Sequence, residues 1–131
     1  MPLALNPSIA PLLAAATLGL AANAQAVPLL GLTSANEIAR FDCTDTAAAT
    51  RTAISGLDSG DRLVGIDLRP ADNKVYGVSR SNRIYTIDIG SGAASFVANL
   101  SAPVIDASLG YGIDFNPAAD FAGGSSLRLT S

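Results

Sequence analysis

The sequence predicts an all-β chain, and within that class an incomplete β-propeller-like fold of about two to three four-stranded antiparallel blades behind an N-terminal signal peptide. Three observations carry the prediction. "GIDLRPADN" at 65–73 returns as "GIDFNPAAD" at 112–120, a shift of 47 residues. A shift of 46 lays "LLGLTSANEIARFD" (29–42) on "VYGVSRSNRIYTID" (75–88), so that Gly31 meets Gly77, Asn36 meets Asn82, Ile38 meets Ile84 and Asp42 meets Asp88. Within one period, short runs rich in β-branched and aromatic residues alternate with turn residues. A period of roughly 40–50 residues fits propeller blades and some helical repeats. The helical choice fails because no stretch after residue 26 keeps apolar spacing of three and four past its glycines and prolines.

Taken in order, residues 1–26 read as the signal peptide: the uncharged run "IAPLLAAATLGLAA" precedes "NAQA", whose Ala24 and Ala26 flank Gln25 in the small-x-small pattern of a cleavage site. Cleavage there leaves Val27 first and implies a secreted or periplasmic protein. The run is shorter than the roughly 20 apolar residues that span hydrocarbon, so no stable membrane span is expected. The remainder, 27–131, is a partial propeller-like domain with a first blade at 27–57 that lacks its first strand. A second blade runs over 61–100. It opens with "RLVGIDLRP", whose alternation puts Leu63, Gly65, Asp67 and Arg69 on one face and Val64, Ile66 and Leu68 on the other. Pro70, with no amide hydrogen for a ladder, ends that strand. "KVYGVS", "RIYTIDI" and "ASFVANL" follow, separated by the turns "PADN", "RSN" and "GSG". The third blade, 111–131, is incomplete, so the chain is expected to be a fragment of a longer reading frame, to expose strand edges and to self-associate.

Composition removes most chemistry. The chain has no histidine and one cysteine, which excludes a Ser-His-Asp triad, a Cys-His pair and the usual zinc sites. Lys74 is the single lysine and follows no glycine-rich loop, so a phosphate cradle is missing. A net charge of -3 with scattered arginines gives no footprint for nucleic acid. Cys43 aligns with Ile89 at the shift of 46 and is expected to be a buried, inert thiol. Asn36 and Asn82 stand where tight turns want a residue tolerant of positive φ.

The residues left as functional candidates are the repeated carboxylates. Asp67 and Asp114 are the candidate metal ligands: equivalent positions in a propeller ring its axis, and several carboxylates there would suit Ca²⁺, the one cofactor considered. Asp42 and Asp88 form a second such pair. The competing assignment makes Asp67 and Asp114 acceptors for backbone amides of a following turn or neighbouring strand, with Arg69 as an ion-pair partner of Asp67.

The phrases "GLTSANEIARFD", "LVGIDLRPADNKVYGVS", "RIYTIDIGSGAASFV" and "YGIDFNPAAD", which span Leu30 to Asp120, resemble the exported bacterial family known as domain of unknown function 4394. The resemblance implies propeller-like repeats and export, and no reaction. The family pattern passes from "FNPAAD" directly into a strand of the "RLRLVS" kind, whereas here "FAGGSS" intervenes before "LRLTS". The function expected is therefore a non-enzymatic binding or scaffold module for a protein or polysaccharide. The alternative is a metal-dependent hydrolase or lactonase of propeller type that uses Asp67 and Asp114.

Overall fold

The computed structural model describes residues 28–101, 104–106 and 108–131. The expected signal peptide, 1–26, lies outside the described residues. Strands β1 (Pro28–Leu32), β2 (Glu37–Asp42) and β3 (Asp45–Ala53) form an antiparallel sheet in sequential order. A second antiparallel sheet follows from β4 (Leu63–Arg69), β5 (Lys74–Ser79), β6 (Arg83–Ile87) and β7 (Ala94–Asn99), again in sequential order. β8 (Gly112–Phe115) and β9 (Leu127–Thr130) pair as a third, with the one-turn helix α1 (Pro117–Phe121) between them. The described residues are thus all-β apart from that single turn, as their alternating runs predict.

The turns form for the reasons legible in the sequence. Asn36 and Asn82 hold φ of 63° and 60°, a left-handed conformation that Asn tolerates better than most residues with a side chain. Each donates its N–H back three residues, to the Thr33 and Ser79 carbonyls, closing β1 onto β2 and β5 onto β6. Pro70 ends β4 where its ring removes the ladder donor. "GSG" lies in the connection from β6 to β7, with Gly92 at φ 76°.

Residues 46 apart occupy matching places. β1 and β2 of the first sheet correspond to β5 and β6 of the second, and β3 lies beside β2 as β7 lies beside β6. Among the described residues the first sheet has no strand beside β1 to match β4 beside β5.

The second sheet is covered on both faces. One face meets the first sheet through Leu63, Val75, Tyr85 and Ile87, which are buried with Ile38 of β2; Leu32, Ile54, Leu57 and Ile66 pack around them. The other face meets β8: the Ile113 side chain lies against the bare backbone of Gly65, and the Tyr76 and Phe115 rings meet edge to face at 5.2 Å. β4 departs here from its predicted alternation. The register runs Leu63↔Ser79 and then Gly65↔Val78, so one residue is bulged between them. The bulge shifts Leu63 off the face of Gly65 and Asp67 and into the core with Ile66, because an extra residue reverses the side-chain alternation beyond it.

Candidate functional site

The two candidate metal ligands stand on matching strands with different partners. Asp67, partly buried on β4, accepts the Phe115 N–H of β8 at Oδ2 (2.7 Å) and so joins the second sheet to the third. Asp114 lies exposed on β8, across from Arg128. Among the described residues no three His, Cys, Asp or Glu side chains come together as a group able to hold a metal ion. Arg69 does not pair with Asp67 as the sequence suggests. Its Nε lies 3.2 Å from Asp120 Oδ1 on α1 and its Nη1 3.6 Å from Asp72 Oδ2, because the strand end carries it towards the turn and the helix. Its guanidinium also lies 6.0 Å from the Phe115 ring centre. The pairing with Asp120 comes with the longer β8–β9 connection, whose Asn116 caps α1 by accepting the Ala118 N–H.

The second pair of carboxylates organises turns. Asp42 Oδ1 accepts the Thr44 hydroxyl (2.6 Å) and N–H (2.7 Å), and these bonds hold its pKa below the ordinary carboxylate value. Asp88 Oδ1 accepts the Ser91 N–H (2.7 Å), the Ser91 hydroxyl (2.8 Å) and the Gly90 N–H (3.0 Å), with the same effect in that order of weight. Asp42 is half-buried and Asp88 exposed, and each serves its own loop.

Cys43 is exposed, against the buried thiol expected from its alignment with Ile89. The β2–β3 hairpin closes early, with Asp42 paired to Asp45, and leaves Cys43 at the tip of a two-residue turn. The β6–β7 connection closes later, with Ile87 paired to Ala94, and there Ile89 folds back against the core.

Sequence reasoning gave Asn36 and Asn82 a turn role, and the structure adds a second one. Asn36 Oδ1 accepts the Leu63 N–H at 3.0 Å, tying the first sheet to the first residue of β4. Asn82 Oδ1 accepts the Val104 and Ile105 N–H groups at 2.7 and 3.0 Å, tying the second sheet to the segment that leads towards β8. A spacing of 46 between two turn asparagines was the available signal; that their side chains reach the next sheet depends on backbone that comes 22 to 27 residues later.

A concave surface with room for a ligand lies between β1 and the second sheet. A groove of about 460 Å³ is lined by Pro28, Leu29, Leu30, Leu68, Val75, Ile87 and Ile89, with Arg40, Asn73, Lys74 and Asp88 also lining it. It adjoins a smaller hollow of about 240 Å³ that reaches Ile66 and Asp67 on β4. Leu29, Leu30 and Leu68 remain 40, 37 and 45% exposed, so the apolar lining is open to water. Neither Arg40 nor Lys74 makes an ion pair among the described residues.

The fold and the site define an all-β protein of small antiparallel sheets in which Asp42, Asp67 and Asp88 bind backbone amides and the open concavity is apolar. Residues 37–130 match the family model described as Domain of unknown function (DUF4394), and the chain belongs to that family, in agreement with the phrases that suggested it. No curated protein and no solved structure matches the chain. Among the described residues no helix is long and apolar enough to cross a membrane.

Proposed function

We propose that this chain is an exported, β-propeller-like binding or scaffold module without a catalytic centre, whose binding surface is the apolar groove between β1 and β4. The observation that carries the reading is how the polar and apolar groups are divided. Asp42, Asp67 and Asp88 give their oxygens to hydrogen bonds of the fold, whereas Leu29, Leu30 and Leu68 line an open hollow. Ligand sites are concave and mostly apolar with a few polar groups at the rim, which suits this groove. The propeller-like reading is supported by the order of strands within the first two sheets, by β4 lying beside both β1 and β8, and by the matching of residues at shifts of 46 and 47. Export rests on the segment before Val27. Its check is N-terminal sequencing of the protein recovered from the medium or periplasm, which should begin at Val27.

The ligand class is a protein or a polysaccharide. The test compares retention of the wild-type chain and of Leu68→Lys on immobilised extracellular polysaccharide and envelope proteins, and assays lactone and ester hydrolysis with and without Ca²⁺. The expected result is retention that the groove substitution removes, with no turnover. Calcium-dependent turnover lost in Asp67→Asn and Asp114→Asn would overturn the reading and assign those two carboxylates to a metal centre.

A further inference from the structure

We infer that the groove accepts a β-strand: an extended segment of another polypeptide, carrying the pattern Gly-Ile-Asp-hydrophobic, pairs with the edge of β1 that no strand among the described residues covers, and becomes a fourth strand of the first sheet. This rests on the groove being the binding surface, and it names the occupant. The template is inside the molecule. β4 lies against β5 with Ile66 opposite Gly77, Asp67 opposite Tyr76 and Leu68 opposite Val75. Moved back by 46 residues, those partners are Gly31, Leu30 and Leu29 of β1, the strand that borders the groove. The incoming isoleucine then lies over Gly31, and the hydrophobic residue two positions on lies beside Leu29 in the apolar hollow.

The aspartate has a defined destination too. Asp67 takes the N–H of Phe115 on the adjacent β8. Leu68 precedes Phe115 by 47 residues, so the incoming carboxylate meets the Leu68 amide of β4 at the mouth of the smaller hollow. A strand added to an exposed sheet edge draws affinity from main-chain bonds and specificity from pockets for alternate side chains, and this groove supplies both.

The probe is a fluorescent synthetic peptide of residues 62–72, "RLVGIDLRPAD", added in trans to the full chain and read by anisotropy. Saturable binding is expected, with new hydrogen-exchange protection confined to β1 and the amide of Leu68. Loss of the charged acceptor in an Asp67→Asn peptide should weaken binding about tenfold, the scale of one charge-assisted hydrogen bond. Leu68→Lys in the protein should abolish binding while leaving its own melting temperature unchanged, since Leu68 is already open to water. Equal binding of a scrambled peptide, no saturation at millimolar peptide, or protection on β7 instead of β1 would each overturn the inference. So would a dimer closed through the groove that the peptide does not dissociate. If the peptide fails while polysaccharide retention still depends on Leu68, the strand occupant falls and the binding-module reading stands.

Discussion

At the scale of single residues, Asn36 and Asn82 each carry two roles, a turn at positive φ and a side-chain acceptor for backbone of the next segment. Asn36 and Asn82 were legible as turn residues because positive φ selects few side chains, but their bonds to the next sheet join segments that only the fold brings together. The two roles can be separated by substitution. Asn36→Gly keeps the φ of 63° and loses the acceptor for Leu63 N–H, so it should cost about 1 kcal/mol, the net worth of one hydrogen bond. Asn36→Ala loses the acceptor and adds left-handed strain of about 1–2 kcal/mol, for a total of about 2–3 kcal/mol by urea unfolding. Equal losses in the two variants would remove the strain argument. The turn carboxylates make a second residue-scale prediction. Asp42 and Asp88 have pKa values depressed below 3.8 by bonds that exist only in the folded chain. Their stabilisation is therefore complete above that value and lost as pH falls through the depressed folded values. Thermal melting should be flat above about pH 5 and fall below about pH 4, and Asp88→Asn should shallow that acid limb. An acid limb unchanged in Asp42→Asn/Asp88→Asn would mean that other carboxylates set it.

Elements were legible where local chemistry decides them. Pro70 stops β4, and the turn asparagines and "GSG" separate the runs that become β5, β6 and β7. What escaped was register. The bulge between Leu63 and Gly65 leaves no mark in the alternation, because both readings of "RLVGIDLRP" bury apolar residues; packing between two other sheets chooses one. The lengths of the two equivalent hairpins escaped likewise, and with them the exposure of Cys43. One close approach between segments falls at a glycine. The segment after β3 docks on the β6–β7 connection, where Ser55 N–H donates to the Gly92 carbonyl (3.0 Å) and Ala94 N–H to the Ser55 carbonyl (2.8 Å). Gly92 has φ of 76°, and a β-carbon there would collide with the carbonyl of Ala53. Gly92→Ala adds left-handed strain and a backbone clash, for about 3 kcal/mol or more in total. Urea unfolding gives the number, and a loss under 1 kcal/mol would show that the two segments part freely.

For the whole molecule, the all-β class and the family were legible because they depend on alternation and on recurring phrases, whereas the groove was not, since it is lined by residues from β1 through the β6–β7 connection that no window of sequence shows together. The same architecture decides how the molecule meets its own copies. β3 and β7 both end their sheets among the described residues, and an open edge offers its amides and carbonyls to another chain. The two edges are not equivalent. β3 carries Asp45 and Arg51, which discourage pairing, whereas β7 is "ASFVAN", with no charge, no proline and Phe96 and Val97 at 55 and 47% exposure. Arg83 lies 5.8 Å from the Phe96 ring centre and the Tyr85 ring meets that ring edge to face, so exchanging Phe96 would break contacts of the fold, and Val97 is the better residue to exchange. It is also the residue that the register passes over between Ile84↔Ala98 and Tyr85↔Phe96, so it has no Cα partner on β6 whose pairing the exchange would disturb. Sedimentation velocity should therefore find association that rises with concentration and falls in Val97→Lys, with far-UV circular dichroism unchanged. Leu68→Lys, in the groove, should leave this association intact. A wild-type chain that stays monomeric at millimolar concentration, or one whose association responds to Leu68→Lys and not to Val97→Lys, would remove β7 as the self-associating edge.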